Sequence, residues 1–181
     1  MQQLANGEPF RFNYDWNNLV KTIESQQGVP ITPDPSIWRM DVPAYNDIKK
    51  SWSDANYPES HIKWINYYPG IHYTNNLDEL LCDHFNIEYR RSWISRIDPG
   101  YSAPWHWDVE DDPEDYDNPL RLSIFIKDCD PGHIFILGKE DCFYNMKAGD
   151  GVFWKRFNEY HIGVNAGLTP KYMYHLKAKT I

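Results

Sequence analysis

The chain has 181 residues and a formal net charge of −8, so general binding to nucleic acid or to an anionic membrane is not expected. Three cysteines without paired spacing indicate neither a zinc ribbon nor a disulfide framework. The N-terminus has no apolar leader and no run reaches membrane length, which predicts a cytoplasmic protein. Hydrophobic residues at 41% and aromatic residues at 16% favour a single domain, 1–181, with a core rich in strands.

The N-terminal portion, 1–88, is predicted to be irregular and partly helical. A capped helix is predicted over 15–23, a weaker one over 43–56, and the clearest one over 76–85. The proline-rich segment 30–35 is expected to lack regular structure. The tyrosine-rich segment 64–73 fits a strand and turn or a loop equally well. We therefore expect flanking helices that pack on a β core.

From residue 89 onward the pattern changes to short apolar or alternating runs separated by Gly, Pro and Asp, which is typical of strands. Eight strands are predicted, at 92–97, 104–109, 119–127, 133–137, 142–146, 151–155, 160–164 and 171–177. So many short strands in a compact segment predict a mainly β fold. The expected architecture over 89–181 is a double-stranded β-helix, that is, a cupin-like jelly roll.

The strongest functional signal is the His-x-Asp pair formed by His106 and Asp108. Residues two apart on a strand face the same side, so this pair offers a nitrogen and an oxygen to one metal ion. His161 on the predicted seventh strand supplies a second imidazole, because jelly-roll connections can bring that strand beside the second one. Two His and one carboxylate leave open positions on iron, as in non-haem Fe(II) oxygenases. We predict that these three residues bind Fe(II) and form the catalytic centre.

A keto-acid co-substrate also needs a cation for its distal carboxylate. Lys171 follows His161 by ten residues and begins the predicted eighth strand, where it could reach into the barrel. Arg121 on the third strand is a second inward candidate. Both residues are therefore predicted to bind the co-substrate.

The order of these features is similar to that in the 2-oxoglutarate/Fe(II)-dependent dioxygenases. Within that superfamily, segments 118–122 (Asn-Pro-Leu-Arg-Leu), 149–150 (Gly-Asp) and 161–165 (His-Ile-Gly-Val-Asn) most resemble the aspartyl/asparaginyl β-hydroxylase branch. The resemblance covers residues 90–178. Two features depart from it: members of that branch can have Gly where this chain has Asp108, and Lys-Tyr-Met at 171–173 replaces the usual Arg-x-Ser.

The resemblance implies that Fe(II) is the metal and 2-oxoglutarate the co-substrate. Oxoglutarate would be decarboxylated to succinate while a C–H bond of an amino acid, a peptide or protein, or another small substrate is hydroxylated. Lys171 would bind the distal carboxylate as a point charge, without the bidentate fork of Arg. Two alternatives stay open: a cupin-type metalloenzyme without a keto-acid, and a non-catalytic jelly-roll binding module.

Other polar and aromatic residues allow two interpretations each. The acidic segment 110–117 is either a solvated loop or a lip that attracts a basic substrate. His133 is a rival metal ligand but directly follows a Pro-Gly turn, which favours a position on the rim, and His175 is expected to be a hydrogen-bonded core residue. Four tryptophans could wall a pocket or simply fill the core: Trp93, Trp105, Trp107 and Trp154.

Overall fold

The computed structural model describes residues 7–33, 43–68, 76–108, 119–155 and 159–181. These ranges contain three α-helices: α1 (Trp16–Glu24), α2 (Pro43–Asp54) and α3 (Leu77–Phe85). They also contain eleven strands: β1 (Pro9–Arg11), β2 (Val29–Ile31), β3 (Trp64–Tyr67), β4 (Ile87–Ile97), β5 (Ser102–His106), β6 (Pro119–Phe125), β7 (His133–Leu137), β8 (Asp141–Phe143), β9 (Asp150–Trp154), β10 (His161–Asn165) and β11 (Lys171–Thr180). No helix among the described residues is long and apolar enough to cross a membrane.

The strands form two antiparallel sheets. The larger sheet has the order β1-β9-β6-β11-β4-β3-β2, and the smaller one has the order β5-β10-β7-β8. The last eight strands of the chain, β4 to β11, divide equally between the two sheets, and distant strands become neighbours as in a jelly roll. This arrangement confirms the predicted double-stranded β-helix with flanking N-terminal helices.

Several boundaries differ from those predicted. Strand β5 ends at His106, so Asp108 follows the strand instead of lying on it. The segment expected to lack regular structure contributes to β2, where Pro30 is tolerated because β2 is an edge strand and needs no further ladder donor. The undecided segment 64–73 begins with strand β3, and its residues 69–73 lie outside the described ranges. Strand β1, which pairs with β9, was not predicted.

The larger sheet is buried on both faces. Alternate residues of β6 and β11 pack against helices α1 and α3 on its outer side, and Tyr174 donates a hydrogen bond from its hydroxyl to Asp78 of α3. This outer core comprises, among others, Trp16, Leu19, Ile23, Leu77, Leu81, Leu120, Leu122, Ile124, Tyr172, Tyr174 and Leu176. The intervening residues of the same strands face the space between the sheets. The outer side is thus closed by helices, and the inner side is left for the site.

Helix α2 closes one flank of the barrel beside β5. Ile48 and Trp52 of α2 share a buried cluster with Trp64 and Ile97. The indole Nε1 of Trp52 donates a hydrogen bond to the carbonyl oxygen of Trp105 at 2.8 Å. This contact fixes the backbone of β5 one residue before His106.

Candidate metal centre

His106, Asp108 and His161 converge at the ends of two paired strands. In the antiparallel pair of β5 and β10, His161 lies directly opposite His106, and their ring centroids are 4.3 Å apart. One carboxylate oxygen of Asp108 is 3.8 Å from His106 Nε2, and the other is 3.8 Å from His161 Nε2. One ligand atom from each residue can be chosen so that all three lie within 4.8 Å of one another. The structure therefore brings together the three residues that the sequence singled out; their role as ligands remains a prediction.

Both imidazoles are oriented by backbone carbonyls. His106 Nδ1 donates a hydrogen bond to the carbonyl oxygen of Pro104 at 2.5 Å, and His161 Nδ1 donates to that of Glu159 at 3.2 Å. A carbonyl oxygen can only accept, so the proton of each neutral ring is on Nδ1 and the lone pair is on Nε2. Fixing one ring nitrogen to direct the other is the usual support of a histidine metal ligand.

The charge states of the cluster suit a divalent cation. Burial, together with the neighbouring His106, lowers the pKa of His161 to about 4, so this imidazole is neutral at pH 7. Burial alone would raise the pKa of Asp108, but the Arg121 guanidinium and the two neighbouring imidazoles outweigh it and hold that pKa well below its ordinary value. Neutral imidazole and ionised carboxylate are the forms that bind a metal. The donor set fits Fe(II).

Arg121 lies on the metal side of the barrel and contacts Asp108. Its Nη1 donates to Asp108 Oδ2 at 2.5 Å, and the residue is 2% exposed. Arg121 faces inward as predicted and contacts the Asp108 carboxylate, while its binding of the co-substrate stays a prediction. The ion pair fixes the orientation of Asp108 and keeps it charged.

Replacing Arg121 by methionine is expected to weaken divalent-metal binding by about 10- to 100-fold, the usual cost of losing an outer-shell partner. Without the guanidinium, the Asp108 carboxylate loses both its orientation and its charge partner. The measurement is competitive binding of Co(II) to protein shown by circular dichroism to be folded. Arg121→Lys retains the charge without the planar fork, so its metal affinity is expected to lie between those of the parent protein and of Arg121→Met. Unchanged affinity in the methionine variant would contradict this positioning role.

Lys171 lies deeper in the barrel than the metal centre. Its ammonium donates to the carbonyl oxygen of Ile134 and sits 5.9 Å and 5.7 Å from the ring centroids of Phe125 and Phe135. The residue is 2% exposed, and burial lowers the pKa of its amine to about 7. It forms no ion pair with any carboxylate in the part of the chain that the structure describes.

Glycine at position 163 keeps the space beside Lys171 open. A Cβ atom at Gly163 would lie 3.5 Å from Lys171 Nζ and 2.9 Å from the side chain of Ile97. Gly163 follows His161 by two residues on β10, a step of about 6.6 Å along a strand. The amine is therefore separated from the metal centre by roughly one such step.

His175 forms a polar part of the inner wall, on β11 four residues beyond Lys171. The two ring nitrogens of His175 hydrogen-bond the hydroxyls of Ser95 at 2.8 Å and Ser123 at 2.6 Å, and its ring stacks on Trp93 with centroids 5.2 Å apart. Burial lowers the pKa of His175 to about 3. His175 is thus a neutral, hydrogen-bonded residue of the inner wall, as expected.

Aromatic rings pack around the two imidazoles. Trp64 stacks on His106 with centroids 6.0 Å apart, while Trp154 and Phe135 lie 5.4 Å and 6.1 Å from His161. Trp64 was not identified from the sequence, since it belongs to the segment whose structure was undecided. Its only local signal is the alternation around residue 64.

Of the four tryptophans considered as pocket walls, two face the site. Trp154 contacts His161, and Trp93 contacts His175 and Arg121. The other two, Trp105 and Trp107, contact Tyr160 instead. Trp105 alternates with His106 along β5 and therefore lies on the opposite side of that strand, whereas Trp107 follows the end of the strand.

Of the other histidines that the structure describes, His61, His84 and His133 lie outside the cluster of His106, Asp108 and His161. His133 Nε2 donates to the carbonyl oxygen of Thr169 at 2.9 Å, while its Nδ1 accepts from the backbone N–H of Asp130 at 3.2 Å. It pairs with Asn165 at the far end of β10 from His161, and it is buried, not on an exposed rim as expected. His61 and His84 are exposed. His72 and the acidic segment 110–117 lie outside the described residues.

No protein-family model matches the sequence, and no curated protein matches it. Among solved structures, the chain is similar to a prolyl-4-hydroxylase from Pseudomonas putida, with 12% identity over 92% of this chain and 99% of that one and a TM-score of 0.48. A viral collagen prolyl hydroxylase from Paramecium Bursaria Chlorella virus-1, solved as a 2OG complex, shows 12% identity over 87% and 98% with a TM-score of 0.47. A predicted oxalate decarboxylase from Thermotoga maritima shows 15% identity over 65% and 81% with a TM-score of 0.42.

These similarities carry no inference about activity. None of these three structures is named as an aspartyl or asparaginyl hydroxylase, so the narrower resemblance to that branch gains no support from them. The double-stranded β-helix itself follows from the strand order of the two sheets.

Proposed function

We propose that the protein is an Fe(II)- and 2-oxoglutarate-dependent dioxygenase that hydroxylates a C–H bond of an amino acid, a peptide or protein, or another small substrate. The observation that carries the proposal is the pairing of a His/Asp/His cluster with a buried lysine on the same barrel interior. A three-residue cluster leaves positions on the metal for other ligands. Lys171 adds the one group that a dicarboxylic co-substrate would further require.

The spacing suits a five-carbon keto-acid. The four C–C bonds of oxoglutarate extend about 5 Å between its carboxyl carbons, comparable to the step of about 6.6 Å between positions 161 and 163 on the strand. A carboxylate beside Lys171 would restore the favourable charge state of its amine, whose pKa burial has lowered. The small residue at position 163 leaves room for it.

The residues have separate tasks in this reaction. Bound iron and oxoglutarate would supply the oxidation, in which oxoglutarate, O₂ and R–H become succinate, CO₂ and R–OH. His106, Asp108 and His161 would hold the metal, and Arg121 keeps Asp108 ionised and oriented. Trp64, Trp154 and Phe135 exclude water from the side of the imidazoles, which strengthens the electrostatic contacts there.

Anaerobic addition of oxoglutarate to the Fe(II)-loaded protein is expected to produce a visible metal-to-ligand absorption band. The band reports bidentate binding of the keto-acid to iron and needs neither substrate nor turnover. Succinate, which has no keto group, serves as the control and is expected to give no band. Iron binding without any band would remove the keto-acid from the proposal.

One observation favours the second candidate, a cupin-type metalloenzyme without a keto-acid. Lys171 already donates a hydrogen bond to Ile134, and with a pKa of about 7 its amine is partly uncharged at neutral pH. If this lysine is only a core residue, the metal centre functions without a dicarboxylate. The absorption experiment separates the two candidates, and an absence of metal affinity would favour a non-catalytic binding module over both.

A further inference from the structure

Three basic side chains lie side by side on the inner face of the larger sheet. Lys177 on β11 is paired with Arg91 on β4 on one side and with Arg121 on β6 on the other. Directly paired residues of antiparallel strands project to the same face with their Cβ atoms about 5 Å apart. Lys177 and Arg121 are buried, whereas Arg91 is exposed. We call these three residues the cation row.

The cation row and Lys171 lie toward opposite ends of the barrel. Lys177 follows Lys171 by six positions on β11, a distance of about 20 Å along the strand, which no five-carbon dianion can bridge. Arg121, a member of the row, contacts Asp108, so the row is adjacent to the metal centre. The interior therefore offers two separate cationic positions, of which only Lys171 is assigned to the co-substrate.

Arg91 is the member of the row that reaches solvent. Its guanidinium carbon lies 5.4 Å from the ring centroid of Trp93, and that of Arg121 lies 5.9 Å from the same ring. Contact with the indole face orients a planar guanidinium without using its hydrogen-bond donors. Arg91 forms no ion pair with any carboxylate among the residues that the structure describes. Its fork therefore remains suited to a carboxylate or a phosphate.

We propose that the primary substrate is a small molecule with a carboxylate or phosphate group, and that Arg91, supported by Lys177, binds that group at the open end of the barrel. This inference rests on the proposed function and specifies its substrate class. An anion held at the cation row would place the rest of the molecule toward the metal centre, on the side away from Lys171. The charge is opposite to the one expected from the acidic segment 110–117, so the two expectations can be tested against each other.

The test screens matched pairs of small molecules for stimulation of succinate release by the Fe(II) protein with oxoglutarate. The pairs are carboxylic acids with their primary amides and phosphate monoesters with their parent alcohols, and a set of primary amines represents basic substrates. Binding is measured separately, as the shift that each compound causes in the anaerobic visible band. We expect the acids or phosphate esters to act and their neutral partners and the amines to be inactive.

Arg91→Gln then tests the residue itself. Loss of a charged hydrogen-bond partner is expected to raise the KM of the active acid by about 10- to 100-fold, with the KM of oxoglutarate changed by no more than about twofold. Lys127→Gln is the control, because Lys127 is an exposed cation that lies two residues beyond the end of β6, away from the cation row. This control is expected to retain both parental KM values.

The outcomes are distinguishable from failure of the proposed function. If oxoglutarate gives neither a visible band nor succinate, the proposed function fails. If oxoglutarate is bound and turned over, the substrate inference is overturned by stimulation from amides or amines as strong as from acids, by stimulation from none of the compounds, or by an unchanged KM in Arg91→Gln.

Discussion

Replacing His106 by alanine is expected to abolish tight Fe(II) binding and iron-dependent succinate formation together. One of three ligands would be lost, and the remaining Asp108 and His161 cannot close a face around the metal. Because loss of a mere outer-shell partner costs about 10- to 100-fold in affinity, loss of this ligand should cost more than about 100-fold. The measurements are iron content after dialysis and succinate release with oxoglutarate.

Of the three cluster residues, His106 is the one whose replacement should disturb the stability of the fold least. Removing Asp108 would leave the Arg121 guanidinium buried without its carboxylate, and an uncompensated buried charge is strongly destabilising. His106 instead packs on Trp64 and donates to one backbone carbonyl, so its replacement leaves no buried charge without a partner. His84→Ala is the matched control, since His84 is an exposed imidazole on α3. A His106→Ala protein that is folded and still binds iron would show that the metal is held elsewhere.

The sequence allowed the convergence of His106, Asp108 and His161 to be predicted because two of these residues are close in the chain and the third follows from the topology. His106 and Asp108 are two residues apart, and the pairing of β5 with β10 follows from the jelly-roll topology once the eight strands are recognised. The position of Asp108 just beyond the strand did not disturb this prediction, because the chain still returns its carboxylate to the same side. Spacing of two along the chain was sufficient.

Arg121 shows a limit of prediction from the sequence. Its position on β6 determines which face it occupies, but not which inward group it contacts. Two anions compete for it in principle, the Asp108 carboxylate and a co-substrate, and only the distance of 2.5 Å to Asp108 decides between them. Trp64 illustrates a second limit, because its contact with His106 joins positions far apart in the sequence and no local pattern announces it.

The burial of β6 on both faces is a third feature that local sequence patterns do not predict. Helices α1 and α3 cover the side of the larger sheet that alternation alone would assign to solvent. A nearly continuous buried run such as that of β6 is therefore compatible with a strand between two layers. Because these helices cover the outer side of the sheet with apolar residues, cations such as Lys177 lie on its inner side.

Replacing Lys171 by methionine is expected to weaken oxoglutarate binding by about 100-fold, since a carboxylate placed beside a buried apolar group would lose its charge partner. The metal cluster does not involve this residue, so iron content should be retained. The measurement is the oxoglutarate concentration dependence of the anaerobic visible band. Met173→Leu, an apolar replacement two residues further along the same face, is the matched control. Parental oxoglutarate affinity in Lys171→Met would assign the distal carboxylate to another residue.

The lowered pKa of Lys171 adds a pH dependence with a definite sign. Only the ammonium form binds a carboxylate, and in the protein without oxoglutarate its pKa is about 7. Oxoglutarate affinity should therefore be constant below about pH 7 and fall by about tenfold per pH unit above it. In Lys171→Arg the guanidinium stays charged, so this dependence should disappear. An affinity that rises with pH in the parent protein would contradict the assignment.

The lowered pKa of Lys171 also makes the free energy of unfolding depend on pH. This free energy should rise with pH, whereas the oxoglutarate affinity should fall. The folded protein releases the Lys171 proton near pH 7, whereas the unfolded chain keeps it until the ordinary lysine pKa of 10.5. Between these values the unfolded state binds more protons, so the free energy of unfolding without oxoglutarate should rise with pH by at most about 1.4 kcal/mol per unit. Lys171→Met should remove this slope, and denaturant unfolding across the range measures it. A slope that persists in the methionine variant would show that the Lys171 amine is not the titrating group, and the pH dependence of oxoglutarate binding would then need another origin.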